Sequence, residues 1–117
     1  DWQSKVVDYL KDSHWIILNP RRDGWDSSWE QSIKNKQFKE QVEWELTAME
    51  RADKIIMHFC PGTKSPITLL ELGLYASSDN LVVSCPTGFW RKGNVEVVCN
   101  WHDVPLFNSL EELLKNL

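Results

Sequence analysis

Short apolar segments alternate with longer amphipathic ones along this chain, and no other feature of the sequence restricts the fold as much. The segments at residues 15–18, 54–59, 81–85 and 104–107 predict strands. The first is a continuous apolar run typical of a strand buried on both faces, and the third is also predicted to be buried. Helical periodicity marks residues 2–11, 29–34, 38–51, 65–76, 94–100 and 109–117. This order predicts an α/β domain with a mostly parallel sheet.

Length and charge limit the class of protein. With 117 residues and no linker or repeat, the chain predicts a single domain over residues 1–117. A formal net charge of −4 argues against binding of a nucleic-acid polymer. The longest apolar runs are too short to cross a bilayer, so we expect no membrane partner.

Cysteine usage indicates a reducing compartment. The three cysteines form no CxxC pair, which argues against both a disulfide framework and a zinc site. The chain starts with no basic segment followed by an apolar one, so we expect no signal peptide and a cytoplasmic location. Neither metal-ligand spacing nor a glycine-rich phosphate loop is present, so we expect no metal and no cofactor.

An acidic residue falls on the apolar stripe of the helix predicted at residues 38–51. Glu45 follows Val42 by three residues and precedes Met49 by four, which places its carboxylate on or beside the core-facing side. Burial of an unpaired carboxylate costs several kcal/mol, so the position needs an explanation. Exposure at the edge of the stripe and capture by backbone amides remain the alternatives to a chemical role.

A second acidic residue has the same placement in the helix predicted at residues 65–76. Glu71 follows Ile67 by four residues and precedes Leu74 by three, so we expect it to point inward. The loop at 60–64 leaves the carboxyl end of a strand, where open α/β sheets bind ligands. Two carboxylates that converge there are typical of glycosidic-bond cleavage, with one as nucleophile and the other managing the proton.

The motif that contains Glu71 resembles that of a known family. The run Glu71-Leu-Gly-Leu-Tyr-Ala, preceded by Gly62-Thr63, is similar to the Glu-x-Gly signature of the nucleoside 2-deoxyribosyltransferase superfamily. The resemblance also includes Asn-Pro-Arg-Arg at 19–22 and Ser-Pro-Ile-x-Leu-Leu at 65–70. It implies that Glu71 is the nucleophile and that Glu45, eight residues before Asp53 of an Ala-Asp pair, is the second acid.

The resemblance has further implications for fold and assembly. It implies a flavodoxin-like or Rossmann-like three-layer sandwich, a nucleoside or nucleotide as small-molecule partner, no cofactor, and a homo-oligomer in which Asn94 approaches a neighbour's site. A plain helix N-cap is the competing interpretation of Asn94. The family begins with a strand and a Gly-Ser loop, whereas this chain begins in the first helix, so we expect that strand to be absent from it. Ser65, six residues before Glu71, stands where the classical transferases carry Asp, and it is also a candidate helix cap.

The remaining candidates for substrate binding lie in loops. A polar segment after the first predicted strand offers groups for a base or a phosphate, and exposed tryptophans offer rings for stacking. A solvated loop and packing at the edge of the core are the alternatives. The candidates are Asn19, Arg21, Asp23, Trp25, Gly62, Ser65 and Asn94, with Trp29 and Trp90 as further aromatic positions and Arg22 more simply explained as solvated. His58 inside a strand predicts a satisfied core histidine.

Three hypotheses for function follow. The first is cleavage or transfer of an N-glycosidic bond of a nucleoside or nucleotide through a glycosyl-Glu71 ester. The second is a catalytically silent nucleotide-binding or scaffolding domain, which the substitution at Ser65 and the expected absence of the first strand favour. The third is a glycohydrolase that acts on a larger nucleotide such as NAD.

Overall fold

The computed structural model describes residues 1–20 and 28–117. They group into two compact units, the first with Asp1 and Gln3–Ala52 and the second with Trp2 and Asp53–Leu117. The single domain over residues 1–117 stays a prediction.

The first unit contains two helices, each begun by a side-chain cap. Helix α1 spans Trp2–Leu10, and the Asp1 carboxylate accepts a hydrogen bond from the Ser4 amide at 3.2 Å. Helix α2 spans Lys36–Arg51, and Asn35 Oδ1 accepts from the Phe38 amide at 3.0 Å. Such caps satisfy amide groups that have no partner in the first turn of a helix.

Two predictions for the first unit are wrong. Residues 15–18 form no strand, and Ile16 and Leu18 are 90% and 52% exposed. A strand needs hydrogen-bonded neighbours, and the described sheet does not include this segment. Residues 29–34 form turns and bends rather than a short helix.

The second unit is an α/β arrangement that alternates strands with helices. In chain order it contains β1 (Ile55–His58), α3 (Pro66–Tyr75), β2 (Leu81–Ser84), α4 (Lys92–Trp101), β3 (Leu106–Phe107) and α5 (Leu110–Lys115). The described strands form one sheet of order β1-β2-β3, and both pairings are parallel. The α/β fold class with a parallel, helix-flanked sheet, consistent with a flavodoxin-like fold, is therefore confirmed.

Strand β2 lies at the centre of this sheet and of the core. All four of its residues are buried, because β1 pairs with one edge and β3 with the other. Phe59 and Val83 are fully buried, and the Phe59 ring lies 4.9 Å from that of Phe89. Helix α5 adds Leu113, also fully buried, and is capped by Ser109, whose hydroxyl accepts from the Glu112 amide at 3.1 Å. No helix in the described ranges is long and apolar enough to cross a membrane.

Candidate active site

The carboxyl ends of β1 and β2 are joined by a polar side-chain pair. His58 and Ser84 are register partners, and His58 Nδ1 lies 2.6 Å from Ser84 Oγ. Ser84 is fully buried, so the histidine supplies the partner that its hydroxyl needs. The Trp2 ring lies 5.7 Å from the His58 ring. The prediction of a satisfied core histidine is confirmed.

The loop after β1 turns sharply at Gly62. Its φ of +84° lies in the left-handed region that favours glycine, and an added Cβ there would meet no atom within 4 Å. Both the amide and the hydroxyl of Thr63 donate to the Cys60 carbonyl, at 3.2 and 2.8 Å. Backbone conformation therefore accounts for Gly62, and its role in substrate binding stays a prediction.

Ser65 occupies the N-cap position of α3, as predicted, but its side chain does not cap the helix. Its φ of +46° is left-handed, and its hydroxyl lies 2.8 Å from Thr63 Oγ1. Pro66 follows as the first helical residue and has no amide hydrogen to donate. The Ser65 hydroxyl therefore belongs to the loop surface next to the amino end of α3.

Glu71 is half-buried in the second turn of α3. The prediction that Glu71 shares an inward-facing stripe with Ile67 and Leu74 is wrong. Ile67 and Leu74 are 61% and 54% exposed, whereas Leu72 and Ala76 are buried. The helix is apolar on nearly all sides, so residue spacing does not identify its inward face. Glu71 therefore borders the buried face instead of lying at its centre.

Glu45 lies on the inward side of α2, as its spacing predicts. It is half-buried together with Val42 and Met49, whereas Glu50 on the same helix is exposed. Burial raises the pKa of Glu45, and the Gln41 side chain, which donates to Oε1 at 3.3 Å, partly opposes that change. A carboxyl with a raised pKa keeps its proton to higher pH, which suits a proton donor.

The two acids belong to different compact units, Glu45 to the first and Glu71 to the second. Their convergence at one cleft, which the sequence predicts, stays a prediction.

Asn19 and Asn94, two further predicted binding positions, are exposed. Asn19 is exposed just after residues 15–18. Asn94 is also exposed, but it is the third residue of α4 and not its cap, because the helix begins at Lys92 and the Val95 amide already bonds the Arg91 carbonyl at 3.1 Å. The candidates Arg21, Arg22, Asp23 and Trp25 lie outside the described residues.

Trp90 follows β2 and forms a hydrogen bond with the loop after β1. Its indole Nε1 donates to the Lys64 carbonyl at 2.9 Å. Lys64 Nζ lies 4.3 Å and Arg91 Cζ 4.6 Å from the ring centroid. A base that stacks on Trp90 would therefore compete with two cations that already lie over the ring. Half-buried Trp29 lies in a turn, where stacking stays a prediction.

Sequence reasoning missed three cationic residues at this edge of the sheet. Besides Lys64 and Arg91, Lys92 donates to the Cys85 carbonyl at 2.5 Å and to Asn108 Oδ1 at 2.9 Å. It thereby ties the segment after β2 to the segment after β3. The available signal was positional, since all three residues follow the ends of predicted strands.

Burial disfavours nucleophilic chemistry at two cysteines of the second unit. Cys85 and Cys99 are buried, and burial raises the pKa of both thiols, that of Cys99 to about 11 with Cys85 as a secondary cause. Because the thiolate is the reactive form, neither residue suits a nucleophilic role at neutral pH. Within residues 1–20 and 28–117, no group of three or more His, Cys, Asp or Glu side chains is placed to hold a metal ion.

Comparison with known proteins identifies the family. Residues 1–89 match the family described as nucleoside 2-deoxyribosyltransferase like, so the match extends from α1 through β2 and includes both Glu45 and Glu71. No curated protein matches the chain. Because the family match covers well over half of the sequence, the chain belongs to the nucleoside 2-deoxyribosyltransferase-like family.

Proposed function

We propose that this protein cleaves or transfers the N-glycosidic bond of a nucleoside or nucleotide. The observation that carries the proposal is the pair of half-buried glutamates inside the matched region, of which Glu45 has a raised pKa. Family membership supports nucleoside glycosyl transfer as the general activity. The division of roles between the two acids is the finer part of the proposal.

Glu71 is the nucleophile. Its carboxylate attacks the anomeric carbon as the bond from that carbon to the base nitrogen breaks, and the bonding pair leaves with the base. The product is a glycosyl ester of Glu71, formed through an oxocarbenium-like transition state. Glu71 lies on α3, the helix that follows the carboxyl end of β1. This position supports the role, since open α/β sheets bind ligands at the carboxyl ends of their strands.

Glu45 acts as the general acid and then as the general base. Its raised pKa supports a carboxyl that starts protonated and donates to the departing base. The resulting carboxylate then accepts a proton from the incoming base or water, which attacks the anomeric carbon and releases Glu71. A second base as acceptor makes the protein a transferase, and water makes it a hydrolase.

Self-association and a cytoplasmic location complete the proposal. Apolar residues on the outer faces of two helices support a homo-oligomer, because solvent-exposed apolar surface favours association. These residues are Ile67, Leu70 and Leu74 on α3 and Val97 and Trp101 on α4. Asn94 lies on the same α4 helix, where a contact would bring it to a neighbouring copy.

The test is release of free base from a panel of nucleosides and nucleotides by the full-length protein. We expect wild type to release base and Glu71→Gln to lose at least about a thousandfold in rate, since removal of a covalent nucleophile has effects of that order or larger. Glu96→Gln, which changes an exposed helical glutamate of the same unit, is the matched control and should stay active. Release that survives in Glu71→Gln removes Glu71 from the mechanism, and a wild type inactive on every substrate favours the silent binding domain.

A further inference from the structure

Charge is distributed unevenly between the two ends of the sheet in the second unit. The loops that lead into the three strands carry one lysine and the acidic residues Asp53, Asp79 and Asp103. The loops that leave β1 and β2 carry Lys64 and Arg91 and no acidic residue. Because the carboxyl ends of parallel strands meet at one edge, these loops give that edge a positive potential in a chain whose net charge is −4.

The two cations of this edge converge on one aromatic ring. Lys64 Nζ and Arg91 Cζ lie 4.3 and 4.6 Å from the centroid of Trp90, so they are no farther apart than the sum of those two distances. Trp90 Nε1 holds the two loops together through its bond to the Lys64 carbonyl. Neither cation forms an ion pair with a carboxylate in the described part of the chain.

Such an arrangement favours an anion. Like charges brought close together repel, and the faces of an exposed indole offset only about 0.5–1 kcal/mol per cation. An anion between the two groups replaces repulsion with attraction. A guanidinium donates two parallel hydrogen bonds to a phosphate, and an ammonium adds a compact charge.

We propose that Lys64 and Arg91, positioned by Trp90, form a subsite for the phosphate of the substrate, which makes a nucleoside phosphate the substrate class. This inference rests on the proposed function. Lys64 lies two residues before Pro66, where the helix that carries Glu71 begins, and the rise of an α-helix places Glu71 about 7–8 Å along the axis from Pro66. Lys64 and the nucleophile therefore lie on one continuous segment of chain, and Trp90 and Arg91 approach that segment from the loop after β2.

Equilibrium binding, measured without turnover, tests the subsite. Isothermal titration calorimetry on full-length Glu71→Gln compares the four 2′-deoxynucleoside 5′-monophosphates, the matching nucleosides and inorganic phosphate. We expect at least one monophosphate to bind about tenfold or more tightly than its nucleoside, as expected for charge-assisted hydrogen bonds. That preference should shrink as salt is raised.

Substitutions then identify the residues responsible for the tighter binding of monophosphates. Lys64→Gln combined with Arg91→Gln should abolish it, whereas Lys64→Arg should retain it because the charge remains. Lys54→Gln is the matched control, since Lys54 is an exposed lysine of the same unit that leads into β1 instead of leaving it. Lys64 and Arg91 are also exposed, so the double variant should keep the far-ultraviolet circular dichroism of the parent.

Three outcomes overturn the subsite: equal binding of monophosphates and nucleosides, a preference that survives in the double variant, and no detectable binding of any monophosphate. The proposed function fails separately, through base release that persists in Glu71→Gln. Binding measured in that variant therefore distinguishes failure of the subsite from failure of the mechanism.

Discussion

The two compact units differ in how they use apolar sequence. In the second unit, β2 is buried at every residue, whereas residues 15–18 of the first unit form no strand and leave Ile16 90% exposed. Both segments are four residues long and mostly apolar. The difference teaches that an apolar run becomes a buried strand only where neighbouring strands take up its backbone hydrogen bonds.

The two units also differ in the candidate catalytic carboxyl group that each contains. Glu71 borders the buried face of a helix in the sheet-containing unit, and Glu45 lies on the inward side of α2 with a raised pKa. If the proposed mechanism holds, the second unit supplies the nucleophile and the first supplies the proton.

The largest expected effect is on catalysis by Glu45→Gln. Loss of a general acid should slow base release by about 10²–10⁴-fold, because the departing base then leaves without a proton. The loss should be smaller for bases that leave easily as anions, a dependence that a purely structural role would not produce. Wild-type activity should fall as pH rises through the raised pKa of Glu45, since the acid form is then lost. Equal losses for all leaving bases would contradict the assignment.

A matched pair of leucine truncations measures the contrast in burial. Leu81→Ala removes a side chain that is 2% exposed in β2 and should reduce the free energy of unfolding by about 2–5 kcal/mol. Leu18→Ala removes one that is 52% exposed and should cost less than about 1 kcal/mol. Urea denaturation followed by circular dichroism gives both values. Similar losses would show that residues 15–18 are buried as a strand after all.

A smaller effect is expected at the carboxyl ends of β1 and β2. Ser84→Ala removes the hydroxyl that bonds His58 and should lower the free energy of unfolding by about 1 kcal/mol, the usual net value of one hydrogen bond. Ser77→Ala, at an exposed serine of the same unit, should change it much less. If Ser84→Ala were as harmless as the control, the pair would contribute nothing to the packing of the sheet.

The smallest effect concerns stability at Glu45. Because its folded-state pKa is raised above the ordinary value of 4.5, the fold favours the protonated acid, and that contribution is present at low pH and lost as pH rises through the raised pKa. Glu45→Gln should therefore be slightly more stable than wild type at pH 7, by a fraction of a kcal/mol since the group is half exposed to solvent. The difference should vanish below pH 4.5, and Glu50→Gln, at an exposed carboxyl on the same helix, should show none. A Glu45→Gln variant less stable at pH 7 would mean that the carboxylate stabilises the fold.

Local sequence determined much of the second unit. The strands at Ile55–His58 and Leu81–Ser84 and the helices after them lie within one or two residues of their predicted bounds. Pro66 at the first position of α3 and Ser109 as the cap of α5 follow from backbone chemistry that acts within one turn. The inward placement of Glu45 could also be predicted, because α2 has charged residues on one side and apolar residues on the other.

Tertiary structure alone decided the rest. Whether residues 15–18 pair with a sheet depends on partners elsewhere in the chain, which a local apolar run does not specify. Which side of α3 is buried was open, because a helix apolar on nearly all sides has no periodicity to read. The convergence of Lys64 and Arg91 on Trp90 joins loops 26 residues apart, and only the parallel pairing of β1 with β2 brings those loops to one edge.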